Sequence, residues 1–164
     1  MTLHELSRMY ILEKAGINTA KVVTINGTLK WVPIMILPVS GLPEKSAFIK
    51  SVIAEVDDNS KRGHFLAMID AIFSGMMLDD FSDHFANSAV QFKVAHKFKH
   101  AGKMESLREL KHGNKDRVYL YSYTGKKLRY VFFMEAAHKN QQQTEKAIKD
   151  RAEDFIKKII DANL

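Results

Sequence analysis

The chain is predicted to fold as an α+β domain in which an antiparallel sheet packs against helices. Apolar residues recur with helical spacing in four segments, whereas β-prone residues alternate or run continuously in several others. The strand-like segments of the C-terminal half follow one another directly, so the chain lacks a repeating βαβ order. We therefore expect a three-strand C-terminal meander and one earlier strand, packed with a helix pair and a C-terminal helix.

The length of 164 residues and the hydrophobic fraction of 46% favour one folded domain with a sizeable core. Residues 3–15 have helical spacing and are predicted to form an N-terminal helix. We assign residues 1–28 to an N-terminal extension, made of this helix and a hairpin strand. Residues 29–164 then form the main domain.

The predicted hairpin depends on Asn26 and Gly27, which lie between two β-prone runs. Asn-Gly is the strongest short hairpin signal, because both turn positions require positive φ. The second run continues to Leu37. Pro33 within it cannot donate to a neighbouring strand, which predicts an edge position or a bulge.

Two adjacent amphipathic helices are predicted between residues 43 and 77, separated by a polar turn at 57–60. The face of the second helix is rich in methionine, and we interpret it as core rather than as a cofactor site. The apolar stripes of the two helices contain these residues: Phe48, Ile49, Val52, Ile53 and Val56 in the first, and Phe65, Met68, Ile69, Ile72, Phe73, Met76 and Met77 in the second.

The C-terminal half is predicted to hold three strands, at residues 107–111, 117–123 and 128–135. The last strand is almost wholly apolar, which favours a central, buried position. Residues 79–103 are predicted to be a further helical or irregular segment. Thr144 is a plausible N-cap of the final helix. The inner face of that helix is predicted to contain Ile148, Ala152, Phe155, Ile159 and Ile160.

Composition excludes several classes of protein. Cysteine is absent, so disulfides, a cysteine nucleophile and thiolate metal sites are excluded. No apolar run approaches the roughly 20 residues of a membrane span. The first residues also lack the layout of a signal peptide. Together these features predict a cytoplasmic protein that does not interact with a membrane.

The net charge of +6 is concentrated in one stretch. Residues 93–129 hold 11 basic and 3 acidic residues, whereas residues 1–90 are slightly acidic. Such a block indicates a polyanionic partner, most often nucleic acid. The alternative is a solvated basic face without a partner.

Common catalytic motifs are missing from the chain, including the glycine-rich phosphate loops, Gly-x-Ser-x-Gly and His-Glu-x-x-His. His96 and His100 have helical spacing, but Lys97 and Lys99 beside them argue against a shared metal. We therefore predict neither a metal nor another cofactor.

The basic residues on or beside the meander suit phosphate chemistry. Metal-free RNA cleavage needs a base for the 2′-hydroxyl proton, an acid for the 5′-oxygen and cations for the phosphorane. Histidine supplies the first two roles, and lysine and arginine the third. A sheet that only binds RNA, with tyrosines stacking on bases, would have the same composition. The basic and histidine residues concerned are Lys111, Arg117, Lys126, Lys127, Arg129, His138 and Lys139.

Four C-terminal motifs together resemble the RelE/HigB-like toxins, especially the phage-derived HigB-like branch. The segment 107–111 (Leu-Arg-Glu-Leu-Lys) resembles that family's Leu-x-Glu-Leu-Arg strand, and 117–121 (Arg-Val-Tyr-Leu-Tyr) its Tyr-Arg strand. The segment 131–141 resembles its hydrophobic strand followed by Lys-Lys-x-x-Gln. The segment 146–155 resembles its final helix. The similarity covers about residues 97–160, and the preceding strand and helix pair fit the family's β-α-α opening by their order.

The resemblance implies the toxin of a type II toxin–antitoxin module, a metal-independent endoribonuclease that cuts mRNA, usually on the ribosome, and is neutralised by an antitoxin protein. By position, it implies catalytic roles for Arg117, His138 and Lys139, with His138 as acid or base. The resemblance implies RNA contacts for Lys111 and, more loosely, for Lys97 and Lys99. Arg129, on the basic meander, is a further candidate RNA contact. The extension 1–28 has three open roles: covering the site, forming a homodimer or binding the antitoxin.

The chain departs from the family pattern at two positions of these motifs. Lys111 replaces an arginine and so lacks its forked geometry, and Asp116 stands where a tyrosine is usual. Alternatives therefore stay open: Arg117 could pair only with Glu109 or Glu135, and His138 could be an ordinary surface histidine. At the level of the whole protein, the alternatives are a non-catalytic RNA-binding or ribosome-associated protein and an inactive phage-encoded interaction protein.

Overall fold

The computed structural model describes residues 1–140 and 144–164. It confirms the α+β class. The strands are β1 (Thr2–Glu5), β2 (Val32–Leu37), β3 (Gln91–His100), β4 (Lys103–His112), β5 (Asp116–Thr124) and β6 (Arg129–His138). The helices are α1 (Arg8–Lys14), α2 (Ala47–Glu55), α3 (Asn59–Gly75) and α4 (Lys146–Ala162), and short 3-10 turns lie at Thr19–Lys21, Pro43–Lys45 and Phe81–Phe85.

All six strands belong to one sheet, in the order β1-β2-β6-β5-β4-β3. Strands β3 to β6 form an antiparallel meander, and β1 is antiparallel to β2. Strand β2 pairs with β6 in parallel. The sheet is therefore mixed, and its meander has four strands where the sequence predicted three.

Helices cover both faces of the sheet, as the alternation along β5 requires. Val118 and Leu120 point into a core shared with α1, α2 and α3. Tyr119 and Tyr121 point into a second core under α4. The predicted two-faced strand at 117–123 and the buried central strand at 128–135 are thereby confirmed.

The N-terminal prediction is only partly correct. Residues 2–5 form a strand on the free side of β2, and the helix begins only after Ser7, whose hydroxyl accepts a hydrogen bond from the Tyr10 amide (3.1 Å). Pairing with β2 outweighs the helical spacing of so short a segment. The division of the chain at residue 28 stays a prediction.

The predicted Asn26-Gly27 hairpin is wrong. Strand β2 already has β1 on one side and β6 on the other, so no side of it is left for a run at 21–25. The amide of Lys30 instead donates to the carbonyl of Met76, just past α3 (2.8 Å). The edge position predicted from Pro33 is also wrong. Pro33 lies at the second residue of β2, before the first β1 pair at Ile34, where its missing donor costs little.

The prediction of a helical or irregular segment at 79–103 is wrong for residues 91–100. These residues form β3, which turns into β4 through Ala101 and Gly102, both with positive φ (49° and 76°). Strand β4 also begins earlier than predicted, at Lys103. A β-bulge at Ala95 interrupts the pairing between Val94 and His96.

The helix pair is confirmed, with Ser46 and Asp58 as side-chain caps of α2 and α3. The methionine-rich face is core, since Met68 and Met76 are buried. Ile53 is an exception in the predicted stripe, with 53% of its surface exposed. The final helix starts at Lys146, and Ile156 rather than Phe155 is buried beneath it.

Two buried phenols make the folded protein sensitive to alkali. Burial raises the pKa of Tyr121, and the Glu105 carboxylate that accepts its hydrogen bond (2.8 Å) raises it further; burial also raises the pKa of Tyr119. A tyrosine of the unfolded chain ionises near 10.0. The stabilising effect of a raised folded-state pKa is complete below that value and is lost as the pH rises above it.

We expect the free energy of unfolding to fall by about 1.4 kcal/mol for each such phenol by pH 11. A Tyr121→Phe variant, measured by urea unfolding from pH 9 to 11, should lose correspondingly less stability over that range than the wild type. Identical pH dependence of the two proteins would contradict this explanation.

Candidate active site

Three side chains form a row at one end of the sheet, because Asp116 pairs with His112 on β4 and with His138 on β6. Helix α3 adds His64 from above. The Asp116 carboxylate contacts the rings of His138 and His64: Oδ1 lies 2.7 Å from His138 Nδ1, and Oδ2 lies 2.5 Å from His64 Nδ1. His112 meets the His64 ring edge-on at 5.3 Å. We call these four residues the histidine cluster.

The arrangement orients both imidazoles and leaves them accessible. The Asp116 side chain is 9% exposed, whereas those of His64 and His138 are 36% and 26% exposed. A carboxylate only accepts hydrogen bonds, so each Nδ1–H donates to it and each Nε2 is the nitrogen left to take or give a proton. The cluster therefore presents two oriented proton-transfer groups on one buried carboxylate.

The rim of the histidine cluster is charged. Lys61 lies one turn before His64 on α3 and contacts Asp57 (2.7 Å). This hydrogen bond is the main cause of the lowered pKa of Asp57, and the charge of His138 lowers that pKa slightly more. The same hydrogen bond is the main cause of the raised pKa of Lys61, and the charge of Asp116 raises that pKa slightly more. Lys61, whose side chain is 21% exposed, is thus a partly buried cation beside the cluster.

A buried charge cluster lies behind the same end of the sheet, on the face that α4 covers. Glu109 (2% exposed) lies among three cations, of which Arg117 and Lys139 are buried and Lys93 is exposed. Its Oε1 lies 3.4 Å from Lys93 Nζ and 3.7 Å from Arg117 Nε, and its Oε2 lies 3.7 Å from Lys139 Nζ. One carboxylate therefore holds together three positive charges.

Two predicted catalytic residues belong to this buried cluster. Arg117 is 1% exposed, and its guanidinium donates to the carbonyls of Asp116 (3.0 Å) and Asn114 (3.1 Å). Lys139 is 5% exposed, and burial lowers its pKa, with the charges of Arg117 and Lys93 adding to this effect and Glu109 opposing it. In this arrangement Arg117 fixes the backbone that carries Asp116. The predicted Arg117–Glu109 ion pair is present.

The other predicted residues are spread over the sheet. Lys111 lies beside Arg117 on β4 and is half-buried, whereas Lys97 and Lys99 are exposed on β3, towards the opposite end. Arg129 donates to the carbonyl of Asp79 (2.7 Å) and lies over the Trp31 ring. Gln141, the last residue of the motif at 131–141, lies outside the described residues.

His96 and His100 lie on a strand, and each contacts its own carboxylate on α4: Glu153 at 3.0 Å and Asp161 at 2.7 Å. The helical spacing considered for a metal pair therefore does not apply. Within residues 1–140 and 144–164, no group of three or more acidic, histidine or cysteine side chains is arranged to hold a metal ion.

Sequence reasoning found His138 but missed its partners. Asp116 and His112 join it only through the register of β4, β5 and β6, and His64 is 52 residues from Asp116 along the chain. No local motif marks His64. The spacing of histidine and aspartate at 112 and 116, across a Gly-containing turn, is the one signal that a hairpin prediction could have used.

Gly113 makes room for the His64 ring. A Cβ at this position would lie 2.8 Å from Cε1 of His64, and the φ of Gly113 is +65°. We expect Gly113→Ala to cost about 1–2 kcal/mol for the left-handed backbone and, in addition, to displace His64 from Asp116. The displacement would shift the NMR resonances of the His64 ring.

Gly102 provides the matched control, since its φ is +76° and no atom lies within 4 Å of its Cβ position. Gly102→Ala should show a similar backbone cost and leave the His64 ring resonances unchanged. Equal effects of both variants on His64 would exclude a positioning role for Gly113.

No helix in the described parts of the chain is long and apolar enough to span a membrane. No family model matches the chain, and neither a curated protein nor a solved structure gives a significant match.

Proposed function

We propose that this protein is a metal-independent endoribonuclease of the RelE/HigB-like toxin type, which cuts RNA at the histidine cluster. The observation that carries the proposal is the pair of half-exposed imidazoles, His64 and His138, held on the two oxygens of Asp116. Cleavage of RNA next to a 2′-hydroxyl needs one base and one acid, and this pair supplies both.

In the proposed reaction, the neutral imidazole of one histidine takes the proton of the 2′-hydroxyl through Nε2. The 2′-oxygen attacks phosphorus, and a new O2′–P bond forms as the P–O5′ bond breaks. The other histidine, as an imidazolium, gives its proton to the leaving 5′-oxygen. The products are a 2′,3′-cyclic phosphate and a 5′-hydroxyl, so the step needs neither a metal nor an oxidant.

The remaining groups have supporting roles in this proposal. Asp116 orients both rings and stabilises whichever is protonated, and Lys61 is the nearby, partly buried cation for the phosphate. Arg117 acts as a positioning residue, because its exposed fraction is 1% and its hydrogen bonds hold the backbone at 114–116. This assignment differs from the phosphate contact that the family resemblance implies.

The test is cleavage of a 5′-labelled RNA by the purified protein in the presence of EDTA. We expect cleavage with a 2′,3′-cyclic phosphate at the new end, and no cleavage of an oligonucleotide with 2′-deoxyribose at the cut position. A requirement for a divalent metal, or cutting of the deoxy control, would contradict the proposal.

The role as a cytoplasmic toxin is tested in bacteria by tightly controlled expression. Rapid growth arrest, with new mRNA 5′ ends inside translated frames, would support cleavage on the ribosome, and coexpression of an antitoxin protein should relieve it. Normal growth with abundant folded protein would contradict the toxin role. The proposed RNA cleavage is tested separately, by the experiment with the purified protein.

A further inference from the structure

Part of the sheet surface is left uncovered on the side of α1, α2 and α3. At the end of the sheet away from the histidine cluster, Lys97 pairs with Ser106 and Lys99 pairs with Met104 across β3 and β4. Lys97, Lys99 and Met104 are exposed, with Met104 at 60%. We call this surface the open face; its residues are Lys97, Lys99, Met104, Ser106, Arg108 and Ser122.

The positive charges of β3 are distributed unequally between the two sides of the sheet. On the side of α4, Lys93 pairs with Glu109, and His96 and His100 each contact a carboxylate of that helix. On the open face, Lys97 and Lys99 form no salt bridge within the described residues. The uncompensated charge of the basic stretch is thus presented to solvent on one side.

Arg108 gives the open face a flat cation. Its guanidinium lies 4.5 Å from the centre of the Phe92 ring, and its buried Nε has no hydrogen-bond partner in the described structure. Beside it is a groove of about 370 Å³ whose lining includes Trp31, Ser106 and Ser122. A guanidinium held against one ring suits stacking of a nucleobase, and the two hydroxyls offer hydrogen bonds to its edge.

We propose that the open face binds single-stranded RNA, with Lys97 and Lys99 contacting phosphates and Arg108 stacking on a base. Two exposed lysines, which form no salt bridge in the described structure, lie beside an aromatic-supported arginine and so combine the charge and the stacking platform that single strands require. The proposal extends the proposed function by placing a substrate-binding surface outside the cleavage site. Along β4, the eight residue-to-residue steps from Met104 to His112 separate the two by roughly 26 Å.

The test is fluorescence anisotropy with a labelled 20-nucleotide 2′-O-methyl RNA, titrated with salt. This probe lacks the 2′-hydroxyl and cannot be cleaved, so a failure of the proposed cleavage leaves the binding result intact. For a Lys97→Ala/Lys99→Ala variant, we expect the slope of log affinity against log salt to fall by about 1.4, with roughly 25-fold weaker binding at 0.1 M salt. Arg108→Lys should weaken binding with little change in slope.

Lys45→Ala/Lys50→Ala is the matched control, because both lysines are exposed, one in the turn before α2 and one on α2, and the change removes the same charge. Equal weakening by the control would overturn the proposal by showing a general charge effect. Displacement of the RNA by polyglutamate at the same charge concentration would also overturn it, in favour of an acidic protein partner. Circular dichroism of all variants checks that the fold is retained.

Discussion

Replacing His138 with alanine is expected to lower the rate of RNA cleavage by roughly 100- to 10,000-fold, the usual contribution of a positioned acid or base. His138 is held by Asp116 at 2.7 Å and is 26% exposed, so its loss removes one of the two proton-transfer groups while leaving most of the core intact. Single-turnover cleavage of a labelled RNA, followed across pH 5 to 8, is the measurement.

The pattern across variants separates catalysis from structure. His64→Ala should reduce the rate by a similar factor, and the double variant should lose little more, because the two rings act as one unit. Single variants should also remove one arm of a bell-shaped pH profile. His84→Ala is the control, since His84 lies in the 3-10 turn at Phe81–Phe85, away from the cluster. Wild-type cleavage by a folded His138→Ala protein would refute the assigned role.

Glu109→Gln is expected to destabilise the protein by about 3–5 kcal/mol, the cost of removing one partner from a buried charge cluster. Lys93, Arg117 and Lys139 share the Glu109 carboxylate, and an amide of the same shape cannot offset their repulsion. Urea unfolding monitored by circular dichroism measures the loss. Glu105→Gln, on the same strand and able to keep the hydrogen bond from Tyr121, should change stability far less.

The loss of stability caused by Glu109→Gln should depend on pH. Burial lowers the pKa of Lys139, so this lysine binds a proton more readily in the unfolded chain than in the folded chain. The cost of burying the charged Lys139 side chain therefore disappears as the pH rises towards 10.5, where the lysine of the folded protein is neutral. Glu109→Gln lowers this pKa further. The variant should therefore recover part of its stability between pH 7 and 9.5, whereas a deficit that stays constant with pH would contradict the electrostatic explanation.

Regular patterns made most of the fold predictable. Strands β5 and β6 alternate or run apolar without interruption, and α2, α3 and α4 keep a consistent apolar stripe. Strand β3 was missed because of the bulge at Ala95. Phe92 faces α1 to α3, whereas Phe98, also an even position, faces α4, so no single period of two describes the strand.

The candidate site was less predictable for two reasons. The histidine cluster is assembled by the register of three strands and by a helix distant in sequence, and neither is encoded by a local motif. The burial of Arg117 depends on which face of β5 it occupies. It shares that face with Tyr119 and Tyr121, whose alternation was visible in the sequence, but the covering of the face by α4 was not.

The parallel pairing of β2 with β6 has a consequence for how the chain folds during synthesis. The ladder at residues 32–34 needs residues 130–132, so β2 cannot complete its pairing until β6 has been synthesised and has left the ribosome. The histidine cluster likewise cannot form until His138, at the end of β6, has been synthesised. A nascent chain interrupted before β6 would thus lack both a finished sheet and the proposed acid–base pair, so the proposed RNA cleavage would begin only after β6 has emerged.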